Sequence, residues 1–518
     1  MKTNITAVAL AATFTITSAT AEEKTPGYNH KIPEKIMTPD TVETSIGTLE
    51  FFDGMPKPDT VELLYDNLFR NRATETFLSG VPATSIEGLL EGMESMGADD
   101  FNKVVIFDKL LDSAPLFLTG NTDTVYASAF IDLKKDGPMV VVIPPNCGPG
   151  TVNDAFFRFV TDMGIPGPDA GAGGKYLILP PDYEGDIKGK IGSEKAEING
   201  ETYFVSQSPS YVNWVILRGF LVDGKPDTAA SMFKQGLKIY PLSKADSPPE
   251  MEFISGSGKS FNTIHANDYD FYKELDIVIQ REPVGLIEPQ LRGVFASIGI
   301  EKGKPFNPSE KEKKLLEDGV AIGNATARAI MFRSQLEGVS YYPDSGWKAA
   351  FVGGNHEWLK NDGMGGRFLD ARTYYFYQAT VNTPAMVRKM VGIGSQYAVT
   401  YNDKDGEYLD GGKSYQLTIP ANVPAKNFWS VVAYDPQTRS ELQTSQDFPS
   451  RNNKRDKLAE NEDGSVTLYF GPSAPEGKET NWIQTVPEKG WFAILRLYGP
   501  LEPWFDKTWR PGEIEPVK

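Results

Sequence analysis

At 518 residues the chain is too long for one ordinary core, and roughly 100–200 residues per domain predicts about three units. With 40% hydrophobic and 11% aromatic residues it can bury sizeable cores, which excludes a disordered chain. A net charge of −17, from 52 basic against 69 acidic residues, excludes a nucleic-acid backbone as partner.

The first residues carry one Lys, an apolar stretch from about Ile5 to Ile16, and then Ala19-Thr20-Ala21 before Glu22. That order is a secretory signal over residues 1–21, so the mature chain is expected to be periplasmic or secreted. The apolar run is too short to stay as a membrane span, and no later stretch reaches the ~20 apolar residues one needs. No membrane insertion is expected. Cys147 is the single cysteine, so no internal disulfide forms.

Residues 22–100 read as a helical segment, with apolar residues at three- and four-residue steps in "DTVELLYDNLFRNRATETFLSG" and again in "SIEGLLEGMESMG". Residues 101–225 change period to short runs such as "TVYASAFIDL", "PMVVVIPP" and "VNWVILRGFLV", separated by Gly, Pro, Asn and Asp, and form a first β module. Residues 226–340 return to the helical period, with Ser309 and Glu312 placed as a capping box. Residues 341–518 form a second β module, including "RTYYFYQATV" as a strand and "PAMVRKMVGIG" as its one helix. The fold class is mainly β with helical segments (α+β), as two β-sandwich or jelly-roll-like modules preceded and separated by helices.

Little in the sequence points to a known chemistry. His30, His265 and His356 lie far apart, and neither zinc spacing, nucleophile elbow, P-loop nor dinucleotide fingerprint occurs, so no metal site is expected and any cofactor is left open. The glycine-rich "GAGGKYLILPP" precedes a strand rather than a helix and reads as a tight loop. Two clusters remain. In "GNTDTVYASAFIDL", Asn121 and Asp123 suit a turn, and alternation then puts Val125, Ala127, Ala129 and Ile131 on one face and Thr124, Tyr126, Ser128 and Phe130 on the other. The second face starts polar and ends apolar, as in a strand that runs from a cavity mouth into a core. In the C-terminal block, "TNWIQT" and "LRLYGP" place Asn481, Trp482, Arg496 and Tyr498 near strand ends, with Arg496 and Tyr498 on the face opposite Leu495 and Leu497. An Arg inside so apolar a strand needs a partner, either a structural carboxylate or a ligand anion. Arg218 is a comparable strand arginine in the first block.

These residues resemble two families. "GNTDTVYASAFIDLKKDGPMVVVIPP", "GGKYLILPPDY" and "VNWVILRGF" resemble the bacterial domain-of-unknown-function family numbered 1254. "NFWSVVAYDPQT", "GSVTLYFGP", "ETNWIQTVPEKGWFAILRLYGP" and "WRPGEIEPV" resemble the family numbered 1214, its usual C-terminal partner. The resemblance implies an exported two-domain protein and no particular activity. It also matches Asn121, Asp123, Thr124, Tyr126, Asn481, Trp482, Arg496 and Tyr498 to the family pattern.

Three functions compete. One is a hydrolase-like enzyme acting on a small polar, glycan, amide or ester substrate between the β modules, with Asp123 as acid or base, Tyr126 in proton transfer and Arg496 stabilising an anion. Asn121, Thr124, Ser128, Asn481, Trp482 and Tyr498 would then bind the ligand, and Trp429 with the Tyr374, Tyr375 and Tyr377 cluster could offer aromatic faces to a sugar. The second is a non-catalytic periplasmic module whose Arg holds a ligand carboxylate in the same pocket. The third is a structural or surface-interaction protein associating through sheet edges.

Overall fold

The computed structural model describes residues 32–517, so the segment read as an export signal and His30 lie outside the described residues. The chain divides into a unit ending at Asn67 and a second unit from Leu68 onward. In the first, the strands Thr41–Thr44, Gly47–Phe52 and Met55–Pro56 form an antiparallel sheet in a stretch read as helical. The cause is Asp53-Gly54, whose φ angles of 47° and 79° make the two-residue hairpin turn that an Asp-Gly pair favours.

One helix, Pro58–Ser95, replaces the two expected N-terminal helices. It runs through Pro82, a residue that ordinarily ends or kinks a helix, because Val81 and Ala83 on either side are fully buried and packing outweighs the lost backbone bond. Its Ala73, Phe77 and Met93 share a core with Phe271 and Leu275 of the Asp270–Arg281 helix and with Leu316 and Val320 of the Glu310–Phe332 helix. The last of these begins with the expected capping box: Ser309 Oγ accepts from the Glu312 amide, and the Glu312 carboxylate accepts from the Ser309 amide at 2.7 Å.

The first β module is a two-sheet sandwich. A six-stranded sheet runs in the order Glu252–Ser255, Lys103–Ile106, Thr124–Asp132, Val212–Phe220, Gly150–Asp154, Phe159–Met163. It faces a five-stranded sheet centred on Gly174–Leu179 and Met139–Ile143, and Val125, Ala127, Ala129 and Ile131 meet Val141 and Ile178 in the core between them. The second module repeats the plan. Ser395–Thr400, Phe492–Pro500 and Ala425–Tyr434 are the middle of a five-stranded sheet, packed through Leu495, Leu497 and Val431 on a four-stranded sheet that holds Tyr415–Ile419 and Val466–Gly471.

The opposite faces of the two larger sheets share a third core with the helices: Tyr126, Trp214 and Ile216 from one, Val399, Tyr434 and Ile494 from the other. Two sequence expectations fail in this region. "RTYYFYQATV" is not a strand; Leu369–Phe376 is a helix whose Ala371, Tyr374, Tyr375 and Phe376 are all buried. Aromatic residues favour strands only as far as a pleated, half-buried surface is on offer, and here burial on several sides suits a helix. "PAMVRKMVGIG" yields a single turn, Pro384–Val387, capped by Thr383.

The helix crossing gives a test. A Cβ on Gly319 would lie 2.4 Å from the Ala73 Cβ. Gly319→Ala should therefore destabilise the protein by about 1–3 kcal/mol in urea denaturation, despite the roughly 1 kcal/mol that Ala adds to helix propensity. A stabilised variant would contradict this packing.

Candidate functional site

Strand alternation sends Tyr126 and Ser128 out of the first sandwich toward the shared core, as the sequence predicts, and antiparallel pairing sets Arg218 directly opposite Tyr126. In the second module the same rule turns Arg496 and Tyr498 away from the Leu495 and Leu497 side, with Arg496 flanked by Tyr397 and Ser430 in register. Between these strands lies a cavity of about 50 Å³. One water takes roughly 10–15 Å³ on the same measure, so the space suits a handful of heavy atoms. Its polar wall is Tyr126, Arg218, Tyr397, Gln378, Thr119 and Arg496, and Ile216, Val399 and Ile494 supply apolar contact.

Arg496, 5% exposed, has no carboxylate within ion-pair distance among the described residues. One nitrogen, Nη2, donates to the Thr119 and Gly120 carbonyls at 2.6 and 3.1 Å and to Tyr434 Oη at 2.7 Å, while Nε has no partner. The Arg218 guanidinium, also free of any ion pair among the described residues, stands 5.4 Å from the centre of the Tyr126 ring. Two cations thus flank a small cavity. Burial raises the Tyr126 phenol above its ordinary range, opposed only in part by Arg218 and Arg496, so it stays protonated at neutral pH.

Asp123 lies elsewhere in the network. It is fully buried and is not part of the cavity wall. Its Oδ2 accepts from Ser430 Oγ at 2.5 Å and Tyr498 Oη at 3.0 Å, and its Oδ1 from Asn452 Nδ2 at 2.9 Å. Asn121 organises the turn: its Oδ1 accepts from the Asp123 amide at 2.9 Å and Thr124 Oγ1 at 3.2 Å, and its Nδ2 donates to Tyr126 Oη. Ser128 accepts from Trp214 Nε1 at 2.7 Å and donates to Met93 Sδ at 3.1 Å, which places it in packed core.

The structure does not bring Asn481 and Trp482 to this site. Asn481, in the turn Glu479–Asn481, braces the loop at Ala459, and Trp482, on the smaller sheet of the second module, donates through Nε1 to the Gly471 carbonyl at 2.9 Å. Trp429 belongs to that module's core, and Tyr374, Tyr375 and Tyr377 are buried in or beside the Leu369–Phe376 helix, so they form no exposed aromatic platform. His265 is packed against Phe77 and Phe271 and is pulled down to about 3 by burial and by Arg439, which leaves it neutral. The loop over 164–173 is filled by the Asp169 carboxylate, which accepts the Gly164, Gly171 and Gly173 amides. Among the described residues no group of three His, Cys, Asp or Glu could hold a metal ion, and no helix is long and apolar enough to cross a membrane.

Two residues escaped sequence reasoning. Asp162 lies with Arg218 and Tyr397 on a smaller cavity that shares those residues with the first. Burial pushes its carboxyl up to about 7, against the hydrogen bonds of Thr383 and Thr151 and the attraction of Arg218. Glu441 is buried with both carboxyl oxygens unpartnered, and burial, then repulsion from Asp123, raises it well above the carboxylate range, so it is held neutral. In "FVTDMG" only the alternation that turns Thr161 and Met163 opposite to Asp162 hinted at the first; nothing marked the second.

The bonding of Asp123 predicts a structural role. Asp123→Ala strips partners from three buried donors and should cost about 3 kcal/mol or more of stability, read by denaturation. An unchanged melting curve would remove that role.

No curated protein matches the chain. The crystal structure of the VPA0106 protein from Vibrio parahaemolyticus is similar with a TM-score of 0.52 at 17% identity, covering 88% of this chain and 100% of that one. That likeness shows a shared fold. A Burkholderia cenocepacia protein is similar at 11% identity and a TM-score of 0.39, covering 89% of this chain and 97% of that one. Residues 101–241 match the family described as Protein of unknown function (DUF1254), and residues 394–502 match Protein of unknown function (DUF1214). Tyr126 and Arg218 fall in the first match, Tyr397 and Arg496 in the second, so each contributes one cation to the cavity. The chain therefore combines a stretch that matches DUF1254 with a C-terminal stretch that matches DUF1214.

Proposed function

We propose that the protein is an exported, periplasmic or secreted binding module for a small anion of carboxylate size, held between Arg218 and Arg496. The observation that carries this reading is a pair of guanidinium groups without an ion pair. Both guanidinium groups border the cavity, and neither has a carboxylate partner among the described residues. A buried cation without a partner is costly, and an arginine fork matches a carboxylate in geometry as well as charge. The protonated Tyr126 hydroxyl, with apolar Ile216 and Ile494 beside it, would add one hydrogen bond and a short hydrocarbon contact.

The hydrolase-like reading draws support from a different residue than the sequence suggests. Asp123 is saturated by Ser430, Tyr498 and Asn452, whereas Asp162 borders the adjoining cavity with a carboxyl pushed up to about 7, suited to proton transfer near neutrality. Binding needs only the two arginines. Hydrolysis needs Asp162 as well.

Calorimetric titration with formate, acetate and lactate should show saturable binding. Arg218→Met should weaken it at least tenfold while leaving the Arg496 carbonyl bonds intact, and unchanged affinity would sink the reading. Asp162 adds a pH signature. As pH rises through about 7 it ionises beside Arg218 and competes with the ligand, so affinity should fall above neutrality in the parent and stay flatter in Asp162→Asn. Because its folded-state value is raised, the same group contributes stability that is present below about pH 4 and is lost as pH climbs to about 7.

A further inference from the structure

A second cleft, of about 340 Å³, shares no lining residue with the two-arginine cavity. Its volume lies within the range of small-molecule sites. Phe157, Phe159, Trp358 and Phe376 give it flat apolar walls, and Phe157 stacks on Phe376 with ring centres 5.4 Å apart.

Three of the residues that line it each hold a buried polar atom without a partner: Trp358 Nε1, Arg372 Nε and Asn382 Oδ1. Trp358 and Asn382 are each only 3% exposed, so bulk water does not satisfy them. The Asn382 amide cannot simply be turned over. Its Nδ2 donates to the Phe157 and His356 carbonyls at 3.2 and 2.7 Å, which fixes Oδ1 as the idle acceptor. Trp358 also has a φ of 60°, a left-handed conformation that costs a bulky residue about 1–3 kcal/mol and clusters at ligand sites.

The wall carries the arginines Arg158, Arg367 and Arg372 together with the Glu288 and Glu357 carboxylates. Arg158 pairs with Asp154 at 2.7 Å and Arg367 with Glu288 at 3.6 Å, while Arg372 has no ion pair among the described residues and donates only through Nη2 to Ser79 Oγ at 3.3 Å. Burial, with Arg367 nearby, draws the Arg372 guanidinium down to about 10, so it remains a cation at neutral pH.

We infer that this cleft binds an aromatic carboxylate that also carries a hydroxyl group. The carboxylate supplies the acceptors that Arg372 Nε and Trp358 Nε1 lack, the hydroxyl supplies the donor that Asn382 Oδ1 lacks, and the ring fills the space between the aromatic walls. The proposal is independent of the small-anion cavity, whose 50 Å³ is too small for a benzene ring.

The test is calorimetric titration of the full protein with 4-hydroxybenzoate, alongside benzoate and cyclohexanecarboxylate. The expected result is saturable binding of 4-hydroxybenzoate, weaker binding of benzoate and weakest of the non-aromatic acid. Arg372→Gln should lower the affinity about tenfold and Trp358→Phe, which keeps the ring and removes the donor, several-fold. Leu291→Trp, a cleft-filling change at a partly exposed wall residue that breaks no polar contact, should abolish binding in a folded protein. No saturable binding by the parent, affinity unmoved by all three changes, or loss of binding in Arg218→Met would overturn the inference.

Discussion

The Asp123 carboxylate is the constraint on which the site depends. It sits in a turn of the first β module, yet all three of its side-chain donors beyond the turn itself, Ser430, Asn452 and Tyr498, come from the second. Charge-assisted bonds of this kind are about twice as strong as neutral ones, and each donor is buried, so none is easily exchanged for water. The neighbouring residues add to the clamp. Thr119 and Gly120 offer their carbonyls to Arg496, and Thr122 meets Ser450 Oγ at 2.6 Å. The turn thereby fixes one sandwich against the other and holds Arg496 at the cavity wall.

The same clamp explains the electrostatics. The Asp123 carboxylate spends its hydrogen-bonding capacity on three donors and makes no ion pair with Arg496, which takes carbonyls and a phenol as its direct partners. Arg218 faces it from the other module, over the Tyr126 ring and with the raised Asp162 carboxyl on the adjoining cavity. Two guanidinium groups without an ion-pair partner leave a place between them that suits a small anion. Asp162, raised to about 7, lets that balance respond to pH.

Much of the architecture was legible in the sequence because strands and capping boxes are local. The period-2 pattern of residues 124–132 and of 492–500 assigned faces correctly, with Ala127 and Leu495 in sandwich cores and Tyr126 and Arg496 turned outward. The Asp-Gly hairpin at 53–54 is equally local, but it adjoins a stretch whose apolar spacing is helical. The Leu369–Phe376 helix was not legible, since its aromatic run has strand propensity and only three-dimensional burial decides for a helix. Site composition was legible in part. Residue type and spacing drew attention to Tyr126 and Arg496, but whether Asp123 faces a cavity or a set of donors depends on residues more than 300 positions away, such as Ser430 and Tyr498. Asn382 carries no sequence signal because its significance comes from what fails to pair with it in the fold, and Asp162 carries none beyond strand alternation because its burial is set by distant segments.

The most direct test of the central claim, that Arg218 and Arg496 jointly hold a small anion, is a pair of high-resolution crystal structures grown with and without formate. The account predicts difference density for a planar carboxylate bridging the two guanidinium groups in the formate crystals. Identical water in both crystals, with formate absent from the cavity, would contradict it.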